Sequence, residues 1–123
     1  MYKPIVITSV NELVRVHPKQ IVYISSDGNY STMVLHDQSE HLFTFKLAHF
    51  QQIIEKQMKE EASMFIRLGK SLIINRTYIY KINISKQLFV LADMNLKQAF
   101  TLSASKEALR QLKILIEHEI SEI

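Results

Sequence analysis

The chain has no cysteine among its 123 residues. Disulfides and thiolate-held metal are therefore excluded, and the absence fits a reducing compartment. Only two glycines and two prolines occur, so the turns must be made by Asn, Asp, Ser and other polar clusters. No apolar run approaches the roughly 20 residues a helix needs to cross a bilayer. The opening MYKPIVITSV carries too short an apolar stretch for a secretory leader. With no leader, the three Asn-x-Ser/Thr sequons at Asn29, Asn75 and Asn83 read as coincidence, and a cytoplasmic location is expected. There is no internal repeat, low-complexity tract or Pro/Gly/Ser linker.

Signatures of catalysis are missing too. No G-x-S-x-G elbow or other nucleophile–base pair stands out. Gly69-Lys70-Ser71 echoes the end of a phosphate-binding loop, but the earlier glycine of that loop is absent and no long helix follows. His36, Asp37, Glu40 and His41 gather at one predicted hairpin turn. That grouping reads as a solvated polar turn rather than a metal site. No enzyme activity, cofactor, metal or small-molecule substrate is expected.

What is present suits one globular domain spanning residues 1–123: 47% of residues are apolar and 22% charged. The patterning is mostly that of strands. Residues 5–8, 13–17, 21–25, 30–36 and 41–45 read as extended, with turns at Ser9–Glu12, Ser26–Asn29 and Asp37–Glu40. From Lys46 to about Glu60 the period changes. Leu47, Phe50, Ile54 and Met58 recur at spacings of three and four, which predicts an amphipathic helix. Strands are then expected at 64–68, 72–74, 78–84, 88–92 and 96–102. A final helix carries Leu109, Leu112, Leu115, Ile116 and Ile120 on one face, with Ser103 as its expected N-cap. Meander, helix, meander, helix argues for a mainly antiparallel β architecture, α+β by some schemes.

Charge is distributed unevenly. Residues 64–106 hold seven bases (Arg67, Lys70, Arg76, Lys81, Lys86, Lys97 and Lys106) and one acid, Asp93, a net +6. The segments on either side are net −1 and −2. A polyanionic partner is the natural inference. Three loops could meet it. Asp27-Gly28-Asn29-Tyr30-Ser31 offers an amide able to pair with adenine and a phenol able to reach phosphate. Arg67 to Ser71, with Asn75 and Arg76 beyond, supplies cations. Ser103 to Lys106 opens the last helix, whose free N–H groups favour a phosphate. No helix-turn-helix, zinc finger or RNP signature is visible, so any nucleic acid must be gripped by loops.

Taken together, these segments resemble the LytTR DNA-binding family from about Val10 to Leu115. Ile21–Ser25 followed by Gly28-Asn29-Tyr30 is similar to the family's opening strand and turn. FIRLGKSLIIN, from Phe65 to Asn75, resembles its central pattern: Phe-x-Arg-x-His, then Arg or Asn, Ser, an aromatic, Val or Ile, Val and Asn. Leu102 to Lys106 resembles its late Ser-Arg element.

The resemblance implies an elongated, antiparallel β-rich fold with a middle and a C-terminal helix, and bacterial transcription regulators of the response-regulator kind. It implies loops inserted into successive major grooves of double-stranded DNA. By carry-over, the DNA-binding residues are Asn29, Tyr30, Ser31, Arg67, Lys70, Ser71, Asn75 and Lys106. Lys70 stands at the central contact and Lys106 at the last, while Asn75 could equally hold its turn by bonds to backbone. Two copies on paired half-sites, a homodimer on DNA, are compatible with the resemblance.

Three positions depart from the pattern. Gly69 stands where the family has His, and Lys replaces Arg at 70 and 106. These changes motivate an alternative, a protein-interaction or dimerisation module of the same fold with weakened DNA binding. The start at Met1, directly before the first strand, suggests a stand-alone regulator rather than an excised domain.

Overall fold

A strand that is apolar on both faces must be covered on both sides, and Ile21–Ile24 and Ile73–Ile74 are such runs. The computed structural model, which describes residues 3–121, puts both runs at the centre of the molecule. The described strands are β1 (Ile5–Thr8), β2 (Leu13–Val16), β3 (Ile21–Ser26), β4 (Ser31–Leu35) and β5 (Glu40–Phe43). Helix α1 (Leu47–Met58) follows, then β6 (Phe65–Leu68), β7 (Leu72–Asn75), β8 (Ile79–Asn83), β9 (Leu88–Leu91), β10 (Phe100–Ser103) and helix α2 (Lys106–Ser121). Short 3-10 turns cover Pro18–Gln20, Lys59–Met64 and Arg76–Tyr78.

The central sheet is antiparallel with the order β5-β4-β3-β7-β6. A β-bulge between Ile21 and Tyr23 shifts the β3–β4 register. Val22 and Tyr23 consequently pack into one core, while Ile21 and Ile24 pack into the other. On one face, Leu47, Phe50, Ile54 and Met58 of α1 join Ile5 and Ile7 of the β1–β2 hairpin. The hairpin is tied to α1 by Gln57, which accepts from Val6 N at 2.9 Å and donates to Val6 O at 2.7 Å. On the other face, the sheet β10-β9-β8 and α2 bring in Phe89, Leu91, Leu109 and Leu112. Each such fully buried side chain stabilises the fold by about 1.5–3 kcal/mol. Among the described residues no helix is long and apolar enough to cross a membrane.

The architecture agrees with the antiparallel expectation, and several boundaries move for local reasons. The middle helix stops at Met58, where Lys59 takes φ +55, and a 3-10 turn runs on to Met64. The strand expected over 96–102 forms only as Phe100–Ser103. Before it, Asp93 holds a turn by accepting from Asn95 N and Leu96 N, both at 3.0 Å, and Leu96 is buried. Ser103 does not cap the last helix, because it pairs with Leu88 in the β10–β9 ladder. The cap is Ser105, whose Oγ accepts from Ala108 N at 3.1 Å. His17 does not extend β2. Its Nδ1 accepts from Lys19 N at 3.2 Å and caps the first 3-10 turn.

Candidate nucleic-acid interface

The β3–β4 loop is built by its acid. Asp27 Oδ1 accepts from Tyr30 N at 3.1 Å, and Asp27 N donates to Tyr30 O at 3.2 Å. Gly28 sits at φ +110, a backbone conformation that strongly favours glycine. Asn29 and Tyr30 are left at the outer surface, with Tyr30 46% exposed. Ser31 is different. It is 0% exposed, and its Oγ donates to Phe45 O at 2.7 Å. Its hydroxyl ties β4 to the chain entering α1 and does not reach the surface.

The β6–β7 loop is three residues long, closed by the Leu68–Leu72 pair. Gly69 opens it at φ +63, and Lys70 and Ser71 are exposed. Because β3 and β7 are neighbours, this loop lies against the first: Ser26 N donates to Ser71 O at 2.9 Å. Arg67 is also exposed, but its guanidinium is occupied. One nitrogen donates to Gln51 Oε1 at 2.8 Å and another to Lys70 O at 3.1 Å.

Asn75 lies away from the loops and is 0% exposed. Its Nδ2 donates to Ile21 O at 2.9 Å and Pro18 O at 3.4 Å, and its Oδ1 accepts from Thr77 N at 2.9 Å. Of the two roles open to it in the sequence, the structure displays the structural one. It joins β7, the 3-10 turn after it and the start of β3.

The two loops and the start of α1 enclose a hollow of about 390 Å³. Lys46, Arg67 and Lys70 line it, together with Asp27, Ser71 and Ala48. Lys46 lines this hollow although the sequence does not single it out. It is the N-cap of α1, makes no side-chain cap bond, and no acid stands in the first turn. Lys46 thus lines the same hollow as Lys70, at the end of α1 where the helix dipole is positive. The only sequence signal was a helix expected to start at a lysine.

The third loop carries Ser105 and the exposed Lys106 at the head of α2. Residues Ala108 and Gln111 of the same helix share a second hollow, about 240 Å³, with Arg67 and Gly69. The β6–β7 loop is therefore the middle member of the set, with the β3–β4 loop on one side and α2 on the other. The polar turn at His36–Glu40 lines neither hollow, and His36 N donates to Gln20 O at 2.8 Å. Asp37 Oδ1 accepts from Ser39 Oγ at 2.6 Å and Ser39 N at 3.0 Å, and these bonds hold its carboxyl below the usual range. Among the described residues no group of three or more His, Asp or Glu is placed to hold a metal ion.

No curated protein matches the chain in sequence. A solved structure does match in fold: the LytTr DNA-binding domain of a Bacillus cereus protein described as a methyl-accepting/DNA response regulator. The TM-score is 0.60 at 15% identity, over 94% of this chain and 98% of that one. The family model of the LytTr DNA-binding domain matches residues 11–117. That span includes all three loops and both helices up to Glu117, so the chain belongs to the LytTR family of DNA-binding domains.

Proposed function

We propose that residues 1–123 act as one domain that binds double-stranded DNA in a sequence-directed way and serves as a cytoplasmic bacterial transcription regulator. The observation that carries this reading is the stitching of two loops, by Ser26 N to Ser71 O, around a hollow lined by Lys46, Arg67 and Lys70. Positive charge gathered at one concave edge of a β-rich scaffold suits a phosphate backbone, with Lys46 and Lys70 as the cations that reach it. Asn29 and Tyr30 on one side, and Lys106 on the other, extend the edge so that neighbouring loops can enter successive major grooves. Ser71 offers a hydroxyl at the loop tip.

Base discrimination is expected to be modest. Lys at 70 and 106 is a point charge, whereas Arg would present a planar fork matched to guanine. Binding free energy then comes mainly from phosphates. Two copies on paired half-sites would supply the remaining specificity. Genomic footprinting tests this: recurring sites with paired half-sites support it, and uniform occupancy contradicts sequence direction.

A second reading rests on α2, where Ile114 is 65% and Ile120 68% exposed. That helix could be the docking or dimerisation face of an interaction module that keeps the fold without the DNA activity. A monomeric sedimentation profile at high concentration, together with tight DNA binding, would exclude it.

A further inference from the structure

We propose that Arg67 does not touch DNA but is a positioning residue. With Gln51 of α1, it braces the β6–β7 loop so that Lys70 is presented in one place. The inference rests on the DNA-binding reading and deepens it. Strand alternation starts the argument. Ile66 and Leu68 of β6 face the α2 core, so Phe65 and Arg67 project to the α1 side, where Phe65 packs against the first core. Arg67 therefore reaches across to α1, a helix fixed by Leu47, Phe50, Ile54 and Met58.

There the guanidinium makes two bonds in different directions. Donation to Gln51 Oε1 at 2.8 Å links it to the anchored helix, and donation to Lys70 O at 3.1 Å links it to the loop tip. The fork geometry of Arg is what lets one side chain serve both acceptors. The loop needs such a tie, because Gly69 opens it at φ +63 and glycine restrains its neighbours less than any other residue. A rigid tip lowers the ordering cost of binding. The result is a relay from the α1 core through Gln51 and Arg67 to the main chain of Lys70.

Gln51→Ala tests the relay cleanly, since it removes no charge and replaces a half-buried helical residue with a strong helix former. In the free protein, amide exchange and 15N relaxation of Gly69–Ser71 should report a looser loop in Gln51→Ala and in Arg67→Lys. DNA affinity should fall by about 3- to 10-fold in each. The dependence of log K on log salt should keep its slope, because no phosphate contact is lost. In a Lys70→Ala background, Gln51→Ala should cost nothing further.

Two results would overturn the brace. One is an Arg67→Lys variant that binds as wild type, the behaviour of a simple phosphate contact. The other is unchanged loop amides in Gln51→Ala. The amide measurement needs no DNA, so a wild-type protein that fails to bind DNA would refute the functional reading while the brace is still decided.

Discussion

Single residues divide into those that face the solvent at the loop tips and those that hold the tips in place. Lys70 and Lys106 are exposed cations with no structural bond from their side chains among those described. Lys70→Ala and Lys106→Ala should each weaken DNA binding and leave the urea midpoint unchanged; unaltered affinity would remove them from the site. Gly69 is the opposite case. A Cβ there meets nothing within 4 Å, yet φ is +63. Gly69→Ala should therefore cost about 1 kcal/mol through backbone conformation alone, read as a lower denaturation midpoint. The sequence exposes Lys70 and Lys106 because each sits in a polar break between apolar runs. It does not separate Ser31 from Tyr30. Adjacent residues in the same loop motif point to opposite faces, and only the ladder to β5 and the bond to Phe45 O show that Ser31 is the inward one.

Among elements, the connections matter more than the strands and helices they join. β3, β6 and β7 are readable from sequence because short apolar runs end at Asp-Gly, Gly-Lys and Asn-Arg breaks. The β10 boundary and the α2 cap are not, because Ser103 and Ser105 are chemically equal caps and the choice falls to the β9–β10 ladder. Asn75 joins three elements, and Asn75→Ala takes an acceptor from Thr77 N and a donor from Ile21 O. About 2 kcal/mol of stability should be lost, measured by chemical denaturation, with no change in the affinity of the folded fraction. Tyr78 closes the same corner by donating to Lys19 O. Burial, reinforced by Asp93, raises its phenol above the ordinary 10.0. The folded state thus favours the neutral ring, and the unfolded chain ionises first. Stability from this group is whole below pH 10 and declines as pH rises through the raised value. Tyr78→Phe should flatten the alkaline loss of stability, while a profile identical to wild type would remove Tyr78 as its source. The Arg76–Glu119 pair, at 2.5 Å but partly exposed on both sides, contributes at most about 1 kcal/mol to holding α2. Leu109 and Leu112, buried in the second core, hold it more firmly.

At the level of the whole molecule, one sheet with two apolar faces does two jobs. It separates the α1 core from the α2 core, and its β3–β7 pairing joins two loops that lie about forty residues apart in sequence. That juxtaposition explains why Lys46 escapes a reading of the sequence: no local pattern places a helix start beside a hairpin tip. It also makes the edge a single electrostatic unit, whose cations should act together on a polyanion. Fluorescence anisotropy with duplex DNA across a salt series is the most direct test. If roughly 3 to 6 phosphates are neutralised, log K should fall with log salt at a slope of about −3 to −5. The slope should become shallower by about one for each of Lys46→Ala, Lys70→Ala and Lys106→Ala. A flat, undetectable response to genomic promoter fragments, or a slope that these three substitutions leave unchanged, would contradict a DNA interface built from this edge.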